Sequence, residues 1–223
     1  MDRSFPSDVA FTPTVKAVQE RRGSRAQYAR MEATRGWQSK VTDDLAAFIA
    51  ERDSLYLATA NAEGQPYIQH RGGPKGFLRV LDEKTLAFAD FKGNRQYITT
   101  GNLADNDRAF IFLMDYANRR RVKIWGRAHV VEGDAALIER LVVPGYKARP
   151  EQAILFTIEA WDVNCQQHIP QMIAAEDAAQ VIGRLKARIG ELEAEVQRLA
   201  ANASPRALKA PAGEAQEFRF TGK

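Results

Sequence analysis

Alternating hydrophobic and polar positions fill the middle of the chain and predict a series of short β-strands. Residues 55–59 and 66–71 are two such segments, and residues 61–64 between them form a predicted turn, as in a β-hairpin. Five more strands follow at short intervals, at residues 77–81, 86–90, 109–114, 122–131 and 154–161. Because most connections have the length of hairpin turns, the pattern favours an antiparallel barrel or sandwich over a parallel doubly wound sheet.

Helical periodicity predicts peripheral helices around this β-rich region. Residues 14–31 have helical spacing with little apolar content, which is typical of a helix at the surface. Thr42 is a good N-cap, and the residues that follow it place Leu45, Phe48 and Ile49 on one face of a helix of about ten residues. Two further short helices are predicted at residues 94–103 and 134–141.

A heptad repeat follows the last strand. Apolar residues recur with alternating spacings of three and four, at Ala175, Ala178, Ile182, Leu185, Ile189, Leu192, Val196 and Leu199. β-Branched residues at a and Leu at d favour a two-stranded parallel coiled coil, and Arg188 at g is five residues before Glu193 at e. A single amphipathic helix that folds back on the barrel remains the alternative.

Composition limits the class of protein. The 223 residues are 45% hydrophobic and 27% charged, which excludes a disordered or fibrous chain. One cysteine and three scattered histidines provide neither an internal disulfide nor a zinc site, so no metal is expected. The sequence lacks an apolar run of about 18 residues and a signal pattern, so we expect no membrane span and a cytoplasmic location.

The net charge of +4 comes from the first forty residues, which hold eight Lys and Arg against four acids. A protein that reads nucleic acid usually carries its basic face within the folded core, so DNA binding is not favoured. The run Arg119, Arg120 and Arg121 at the start of a strand is the other basic cluster, and it lacks the interleaved aromatic residues of a nucleic-acid site.

Two segments have the composition of a phosphate site. Residues 91–97 follow a strand, turn at Gly93 and present Asn94, Arg95 and Gln96 at the predicted start of a helix, where backbone N–H groups favour an anion. The alternative is an ordinary strand-to-helix turn with a solvated arginine. Residues 70–76 hold three glycines, and either Arg71 or Lys75 supplies a second cation there, although a long hairpin connection uses the same residue types.

A third polar segment follows the last strand. Cys165 and His168 are three residues apart, a spacing that allows a nucleophile and its base to meet on a turn. No third residue that would orient the base is identifiable, and a cysteine beside an apolar strand is usually a small buried side chain. Nucleophilic catalysis is therefore not favoured, and His168 stays the sole weak candidate for a catalytic group.

Taken in order, these motifs resemble the flavin-binding split barrels related to pyridoxamine 5′-phosphate oxidase. The resemblance extends over residues 55–132 and 161–169, about half of the chain. It is based on the basic glycine loop, the sequence VLDEKTLAF at 80–88, GNRQ at 93–96, GNLADNDRAFIF at 101–112 and WGRA at 125–128. It implies a mainly β (α+β) protein, a six-stranded antiparallel split β-barrel, which forms a homodimer with FMN at the subunit interface.

The resemblance also implies residue roles. Arg95 and Gln96 correspond to an Arg-Lys pair on the FMN phosphate, Asn94 is their polar neighbour, and Lys75 is the basic residue of the preceding strand. Ala89 and Asp90 correspond to the strand end beside the flavin. Arg121 and Trp161 correspond to residues near the flavin ring, Arg121 being offered by the opposite subunit.

The last part of the family pattern differs here. The oxidase closes its substrate site with an Arg-x-His element, whereas residues 161–170 read WDVNCQQHIP. The resemblance therefore implies a relative with another substrate, in which Asn164, Gln167 and His168 line the site.

The sequence thus predicts four parts: a helical lead at 1–40, an FMN-binding barrel at 41–170, a heptad helix at 171–200 and a flexible tail at 201–223. The expected function is that of an FMN-dependent oxidoreductase with a small-molecule electron donor or acceptor. The alternatives are a flavin-binding carrier or redox sensor without turnover and, less favoured, a DNA-binding protein.

Overall fold

The computed structural model describes residues 4–163 and 165–202. The chain divides into two compact units, Met1–Met172 and Ile173–Lys223. The first unit contains a single antiparallel sheet with peripheral helices. The second contains one long helix.

The sheet has seven strands in the order β2-β1-β5-β6-β7-β4-β3. The strands are β1 Ser54–Ala60, β2 Pro66–Gly72, β3 Arg79–Val80, β4 Thr85–Phe91, β5 Arg108–Asp115, β6 Arg120–Val131 and β7 Pro150–Val163. Pairing among the described residues leaves β2 and β3 as two edges. All seven predicted strand segments form strands, and the antiparallel architecture is confirmed. The predicted count of six strands in the split barrel is wrong, because the two-residue β3 makes a seventh strand in the sheet of the described residues, and that sheet is not closed.

One hydrophobic core lies inside the curved sheet. Five strands contribute to it, and the buried residues include Leu57, Phe88, Ile111, Ile124 and Phe156. Strands β1 and β4 are separated in the sheet by three others and still pack into the same core. The sheet therefore curves around its apolar face, as alternating inward residues require when one face is buried.

The described residues contain six α-helices. They are α1 Pro13–Arg21, α2 Arg25–Thr34, α3 Asp43–Ala50, α4 Ile98–Asp105, α5 Ala135–Leu141 and α6 Ala175–Asn202, and a short 3-10 helix, Pro6–Val9, precedes them. The hydroxyl of Thr42 accepts a bond from the N–H of Leu45, which confirms the predicted cap. The single helix predicted over residues 14–31 is wrong, because Gly23 has a φ of 78° and ends α1 in the left-handed region.

Aromatic stacking attaches the N-terminal segment to the sheet. Trp37 stacks on Trp125 with ring centroids 4.5 Å apart, and the Lys123 ammonium lies 5.4 and 5.1 Å from the two centroids. Next to them, Gln38 pairs with Trp161, whose indole N–H donates to the carbonyl of Lys40 over 2.8 Å. Burial raises the pKa of Asp162, and its neighbour Lys123, 3.4 Å away, partly opposes that rise.

Two basic residues of this segment form ion pairs within it. Lys16 pairs with Asp8 over 2.6 Å, and Arg25 pairs with the buried carboxylate of Glu32, which also accepts a bond from Ser7. The charges of Lys16 and Arg25 therefore have a structural role. In the described part of the chain, no helix has the length and apolar character that a membrane span needs.

Candidate functional site

A polar cavity of about 240 Å³ lies where the ends of β2, β4 and β7 meet the start of α4. Alternate residues of β2 share one face of the strand, so Tyr67, Gln69 and Arg71 all line the cavity. The loop between β4 and α4 forms another wall, and β7 adds Glu151. The cavity therefore combines three strand ends, a loop and a helix start.

A chain of buried polar contacts fixes one cation at this cavity. Nη1 of Arg71 donates to Oδ1 of Asp90 over 2.7 Å. Nε2 of Gln152 donates to the other Asp90 oxygen over 2.8 Å and lies 3.0 Å from the Thr100 hydroxyl. Asp90 and Gln152 are both buried, so the carboxylate holds Arg71 in one orientation.

Arg71 keeps one donor unused. Its Nε is buried and finds no hydrogen-bond partner among the described residues. Arg79 Nε is in the same condition, but Arg79 does not line this cavity. An unsatisfied buried N–H usually has a partner such as a bound ligand or water, so Arg71 is able to donate a further hydrogen bond.

The loop before α4 has an unusual backbone. Arg95 and Tyr97 both adopt the left-handed region, with φ of 60° and 52°, which is uncommon for residues other than glycine. The Arg95 Nε donates to the Tyr97 hydroxyl over 3.0 Å, and Asn94 Oδ1 accepts from the Gln96 N–H over 3.3 Å. Left-handed residues of this kind are frequent in loops that clamp ligands.

This loop changes the predicted start of α4. The helix begins at Ile98, so Asn94, Arg95 and Gln96 lie in the loop and the predicted start at residue 94 is wrong. The left-handed conformation of Tyr97 prevents the helix from extending backwards. Ile98, Thr99 and Thr100 line the cavity, and the N–H groups of a first helical turn have no partner within the helix.

The charges around the cavity favour an anion, although two acids, Asp90 and Glu151, also line it. The hydrogen bond to Tyr97 raises the pKa of Arg95, and the charge of Glu151 adds to the rise, so Arg95 stays cationic. Arg71 and Arg95 together with the amides of Asn94 and Gln96 supply donors. Asp90 accepts from Arg71 and Gln152. The other donors around the cavity, from Arg95, Asn94 and Gln96, suit a group rich in oxygen acceptors.

A second, smaller recess of about 160 Å³ continues along β2 and β4. It shares Arg71, Asp90 and Phe91 with the polar cavity and adds a more apolar wall that includes Ala89 and Phe88. His70 lines the same recess and packs edge-to-face on Tyr56, with 5.6 Å between ring centroids. A ligand with a charged end and a flat apolar part matches this pair of recesses.

The structure brings together most of the predicted phosphate residues. Asn94, Arg95, Gln96 and Asp90 line the polar cavity, and Ala89 lines the recess beside it. Lys75 lies outside both linings and pairs with Glu51 over 2.9 Å. Of the two cations that the sequence offered for this loop, Arg71 lines the cavity.

The glycines of residues 70–76 have a packing role. A Cβ on Gly73 would lie 2.7 Å from the Cβ of Phe77, and Phe77 is part of the core. Gly76 has a φ of 79°, which redirects the chain and places Lys75 at the surface. Close approach to Phe77 therefore explains Gly73 without a ligand.

The remaining predicted residues lie far along the sheet. Trp161 follows Gln152 by nine positions on β7, which separates them by roughly 30 Å along an extended strand. Trp161 is buried next to the N-terminal segment, and Arg121 lies on β6 opposite Met114. Gln167 and His168 are exposed beyond the end of β7, and Asn164 lies outside the described residues. One chain does not bring these residues to the cavity.

Sequence reasoning missed four residues that line the cavity, Tyr67, Gln69, Thr100 and Glu151, and Gln152, which bonds to Asp90. The alternation of β2 was the available signal for the first two, because they share a face with Arg71. Gln152 and Glu151 reach the site through the pairing of β7 with β4, in which Gln152 is the partner of Asp90. That pairing joins residues 62 positions apart, and no local pattern reports it.

Other candidate groups do not form sites. The Arg120 guanidinium lies 5.1 Å from the centre of the Phe48 ring and Arg119 is in a turn, so the three arginines do not form one basic face. Cys165 and His168 are both exposed. In residues 4–163 and 165–202, no cluster of His, Cys, Asp and Glu has the composition of a metal site.

A larger cleft of about 980 Å³ lies between the N-terminal segment and the sheet. Two of the three cations that line it are paired, Lys16 with Asp8 over 2.6 Å and Arg127 with Asp107 and Glu159 over 2.6 and 2.9 Å. The hydrogen bonds to these two acids raise the pKa of Arg127. Size alone therefore does not make this cleft the better candidate.

The family follows from comparison with known proteins. The family model for pyridoxamine 5′-phosphate oxidase matches residues 41–165, more than half of the chain. The chain belongs to the pyridoxamine 5′-phosphate oxidase family. The matched segment includes every residue that lines the polar cavity. A comparison with the curated proteins gives no match.

Solved structures show similar but distant relatives. HupZ from Group A Streptococcus is 18% identical with a TM-score of 0.46, and the alignment covers 60% of this chain and 99% of that chain. An FMN-binding protein from Syntrophomonas wolfei is 13% identical with a TM-score of 0.44, over 68% and 97% of the two chains. HutZ, the heme storage protein from Vibrio cholerae, is 18% identical with a TM-score of 0.38, over 54% and 92%. All three TM-scores are below 0.5.

Proposed function

We propose that the chain binds FMN, with the phosphate in the polar cavity, and acts as an oxidoreductase on a small molecule other than pyridoxamine phosphate. One observation carries the proposal: Arg71, held by Asp90 over 2.7 Å, lines one cavity together with the exposed Arg95 loop and the start of α4. The family of the chain supports a flavin as the ligand.

The donor set of the cavity fits a phosphate. Two guanidinium groups, two side-chain amides and the first turn of α4 surround one space, and a dianionic phosphate accepts hydrogen bonds from all of these groups. Asp90 is an unexpected neighbour for an anion, because the two negative charges repel each other. Its contacts with Arg71 and Gln152 make it a positioning residue that holds the guanidinium in place.

The size of the site supports a second copy of the chain. The cavity of about 240 Å³ and the recess of about 160 Å³ are each small, whereas pockets for molecules of cofactor size usually enclose about 300–1,000 Å³. With the phosphate in the polar cavity, the flavin ring would lie in the recess beside β2 and β4. The second subunit of a homodimer would cover the ring. Arg121, which is distant within one chain, would then approach the ring from the partner, whereas Trp161 is buried against its own N-terminal segment and has no place in this proposal.

The outward face of β1, β2 and β5 suits this dimer. Tyr56 is opposite Phe112 and Ala58 is opposite both Ile68 and Phe110, so these apolar residues form one continuous patch. Ile68 is 60% exposed, a large fraction for an isoleucine in a strand. In a background with Leu185→Asp and Leu192→Asp, in which the heptad helix cannot hold two copies together, Ile68→Asp should convert the dimer to a monomer in sedimentation. Val80→Asp, on edge strand β3, is the matched control that should stay dimeric, and unchanged dimers for Ile68→Asp would contradict this interface.

The protein's own contribution to the reaction is positioning. Bound FMN supplies the electron-transfer chemistry. Arg71, Arg95, Asn94 and Gln96 hold the phosphate, and the recess orients the ring. His70, which lines that recess, is a titratable side chain at the right place to hold a proton near the ring. His168 would reach a site only from the partner chain.

A carrier or redox sensor is the second candidate function. It is favoured by the state of Asp90, the buried carboxylate of the cavity, whose two oxygens are already taken by Arg71 and Gln152. Such a carboxylate is poorly placed to serve as a general base. If reduced nicotinamide and a panel of electron acceptors leave the bound flavin oxidised, the carrier replaces the enzyme as the proposed function.

The visible spectrum of the purified protein, before and after incubation with FMN, tests the binding proposal. The expected result is a flavin spectrum that stays with the protein through gel filtration. Protein that remains colourless after incubation with excess FMN would reject it.

A further inference from the structure

The heptad residues of α6 form an uncovered apolar seam. The helix is continuous over Ala175–Asn202, and none of its described side chains is buried. Ile182, Leu185, Ile189, Leu192, Val196 and Leu199 are between 43% and 64% exposed. A seam of this length on an amphipathic helix is typical of one that packs against another helix.

A second copy of α6 can cover the seam in two orientations. In a parallel pair each seam residue meets its own counterpart. In an antiparallel pair centred between Ile189 and Leu192, Ile182 meets Leu199 and Leu185 meets Val196. Both arrangements bury the same apolar residues. The β-branched residues at a and Leu at d, from which a parallel pair is expected, account for two strands, and the charges beside the seam are a separate determinant of orientation.

The charges that flank the seam do select one. Lys186 and Glu193 occupy e positions, and Arg188 and Glu195 occupy g positions. The first half of the seam is therefore flanked by two cations and the second half by two anions. In an antiparallel pair, e faces e and g faces g, so Lys186 meets Glu193 and Arg188 meets Glu195 of the second copy, each twice.

A parallel pair uses fewer of these charges. Position g then faces the e position five residues on, which joins Arg188 to Glu193 of the second copy. Lys186 faces Val181, and Glu195 faces Ala200. The antiparallel arrangement thus forms four attractive pairs where the parallel one forms two, and neither brings like charges together at these positions.

Contacts within the helix leave these charges available. Arg188 forms an ion pair with Glu191 over 2.8 Å, and Arg198 approaches Glu195 to 3.6 Å. All four side chains are at least half exposed. Such exposed pairs contribute little to stability, so an interhelical partner competes with them readily.

We propose that α6 is a self-association element that pairs antiparallel with α6 of a second copy. The occupant of the seam is the same helix, and the reversed charge halves set the orientation. This proposal is independent of flavin binding, so each one can fail while the other stands.

Disulfide trapping in the full-length chain, in a Cys165→Ser background, tests the orientation. Leu185→Cys and Val196→Cys chains, coexpressed with different tags, should form a mixed disulfide under mild oxidation, because the two positions meet in the antiparallel pair. Val196→Cys alone should not crosslink to itself, since its copies would be about 16 Å apart along the helix axis. Efficient self-crosslinking of Val196→Cys would overturn the proposal in favour of a parallel pair, and no crosslink in either experiment would overturn pairing altogether.

Charge reversal gives a second, independent test. Lys186→Glu should weaken the mixed crosslink, by an increase on the order of tenfold in the dissociation constant, because it places two glutamates opposite each other twice. Adding Glu193→Lys in the same chain should restore it. In a parallel pair the added Glu193→Lys would instead meet Arg188, so a double variant that pairs worse than the single one contradicts the antiparallel arrangement. Arg184→Glu, away from the seam, is the matched control and should have no effect.

Discussion

Asp90 holds one end of the Arg71 guanidinium over 2.7 Å, while Nε of the same guanidinium is buried without a partner among the described residues. The salt bridge fixes the orientation of the arginine, and its Nε–H is able to donate a further hydrogen bond. A second anion at this point would complete the hydrogen bonding of Arg71. The pair therefore links a buried feature of the fold directly to the proposed phosphate site.

Arg71→Ala should weaken FMN binding. Loss of a charged hydrogen bond of about 1.5–3 kcal/mol corresponds to a dissociation constant roughly 10 to 100 times higher. Fluorescence titration with FMN measures it, with circular dichroism to confirm folding. Lys75→Ala is the matched control, because Lys75 lies outside the cavity and should bind FMN as the wild type does. A folded Arg71→Ala protein with unchanged affinity would contradict the role of Arg71.

Gln96→Lys should strengthen FMN binding. Gln96 lines the cavity, and the substitution adds a third cation beside the proposed phosphate. We expect a dissociation constant about three to ten times lower at low salt, with the gain reduced as ionic strength rises. Gln197→Lys adds the same charge on α6 and serves as the control. Equal affinities of the two variants would place Gln96 outside the phosphate site.

The sheet was predictable from local pattern, whereas the site was predictable only in part. Alternation of apolar residues locates a strand because one face must be buried, and it correctly identified β1 and β5 to β7 as well as the very short β3. The loop with Asn94, Arg95 and Gln96 was found because its residue types suit an anion. Such local signals do not depend on how the strands pair.

The rest of the site depends on long-range packing. Whether Arg71 or Lys75 lines the cavity depends on the turn at Gly76 and on the close approach of Gly73 to Phe77. The residue types alone reveal neither feature. Gln152 reaches Asp90 through strand pairing across 62 positions. The start of α4 differs from the predicted one because Tyr97 adopts a left-handed backbone, a conformation that sequence rules assign mainly to glycine.

Asp115 should make stability dependent on pH in the acid range. Burial alone would raise its pKa, but hydrogen bonds from Asn118 and the nearby Arg52 outweigh burial and leave the pKa below its ordinary value of 3.8. The folded state therefore gains stability from this carboxylate above that pH, and loses it as the pH falls further through the lowered pKa. We expect urea unfolding to show this loss below about pH 4.

Asp115→Asn tests the assignment. The variant should lower the free energy of unfolding at pH 7 by about 1–3 kcal/mol, because Arg52 loses a buried partner. It should also unfold with a smaller dependence on acid pH. Glu63→Gln, in the exposed β1–β2 turn, is the control and should keep the wild-type profile. Identical acid profiles for Asp115→Asn and wild type would reject Asp115 as the source.

Gly126→Ala should destabilise the sheet strongly. Gly126 lies at the irregularity in the pairing of β6 with β7, and a Cβ there would overlap the Thr157 carbonyl and lie 2.6 Å from the Phe156 ring. We expect the free energy of unfolding to fall by about 3 kcal/mol or more. Gly101→Ala, in α4 with open space around it, should instead raise it by about 0.5–1 kcal/mol. Similar melting temperatures for the two variants would contradict this account of the bulge.

The most direct test of the central claim is a parallel titration of the protein with FMN and with riboflavin, which has the same ring and ribityl chain but no phosphate. If Arg71, Arg95 and the start of α4 hold the phosphate, FMN should bind at least about 100 times more tightly than riboflavin, as the loss of two charged hydrogen bonds requires. Equal affinities for FMN and riboflavin would contradict the claim that the polar cavity is a phosphate site.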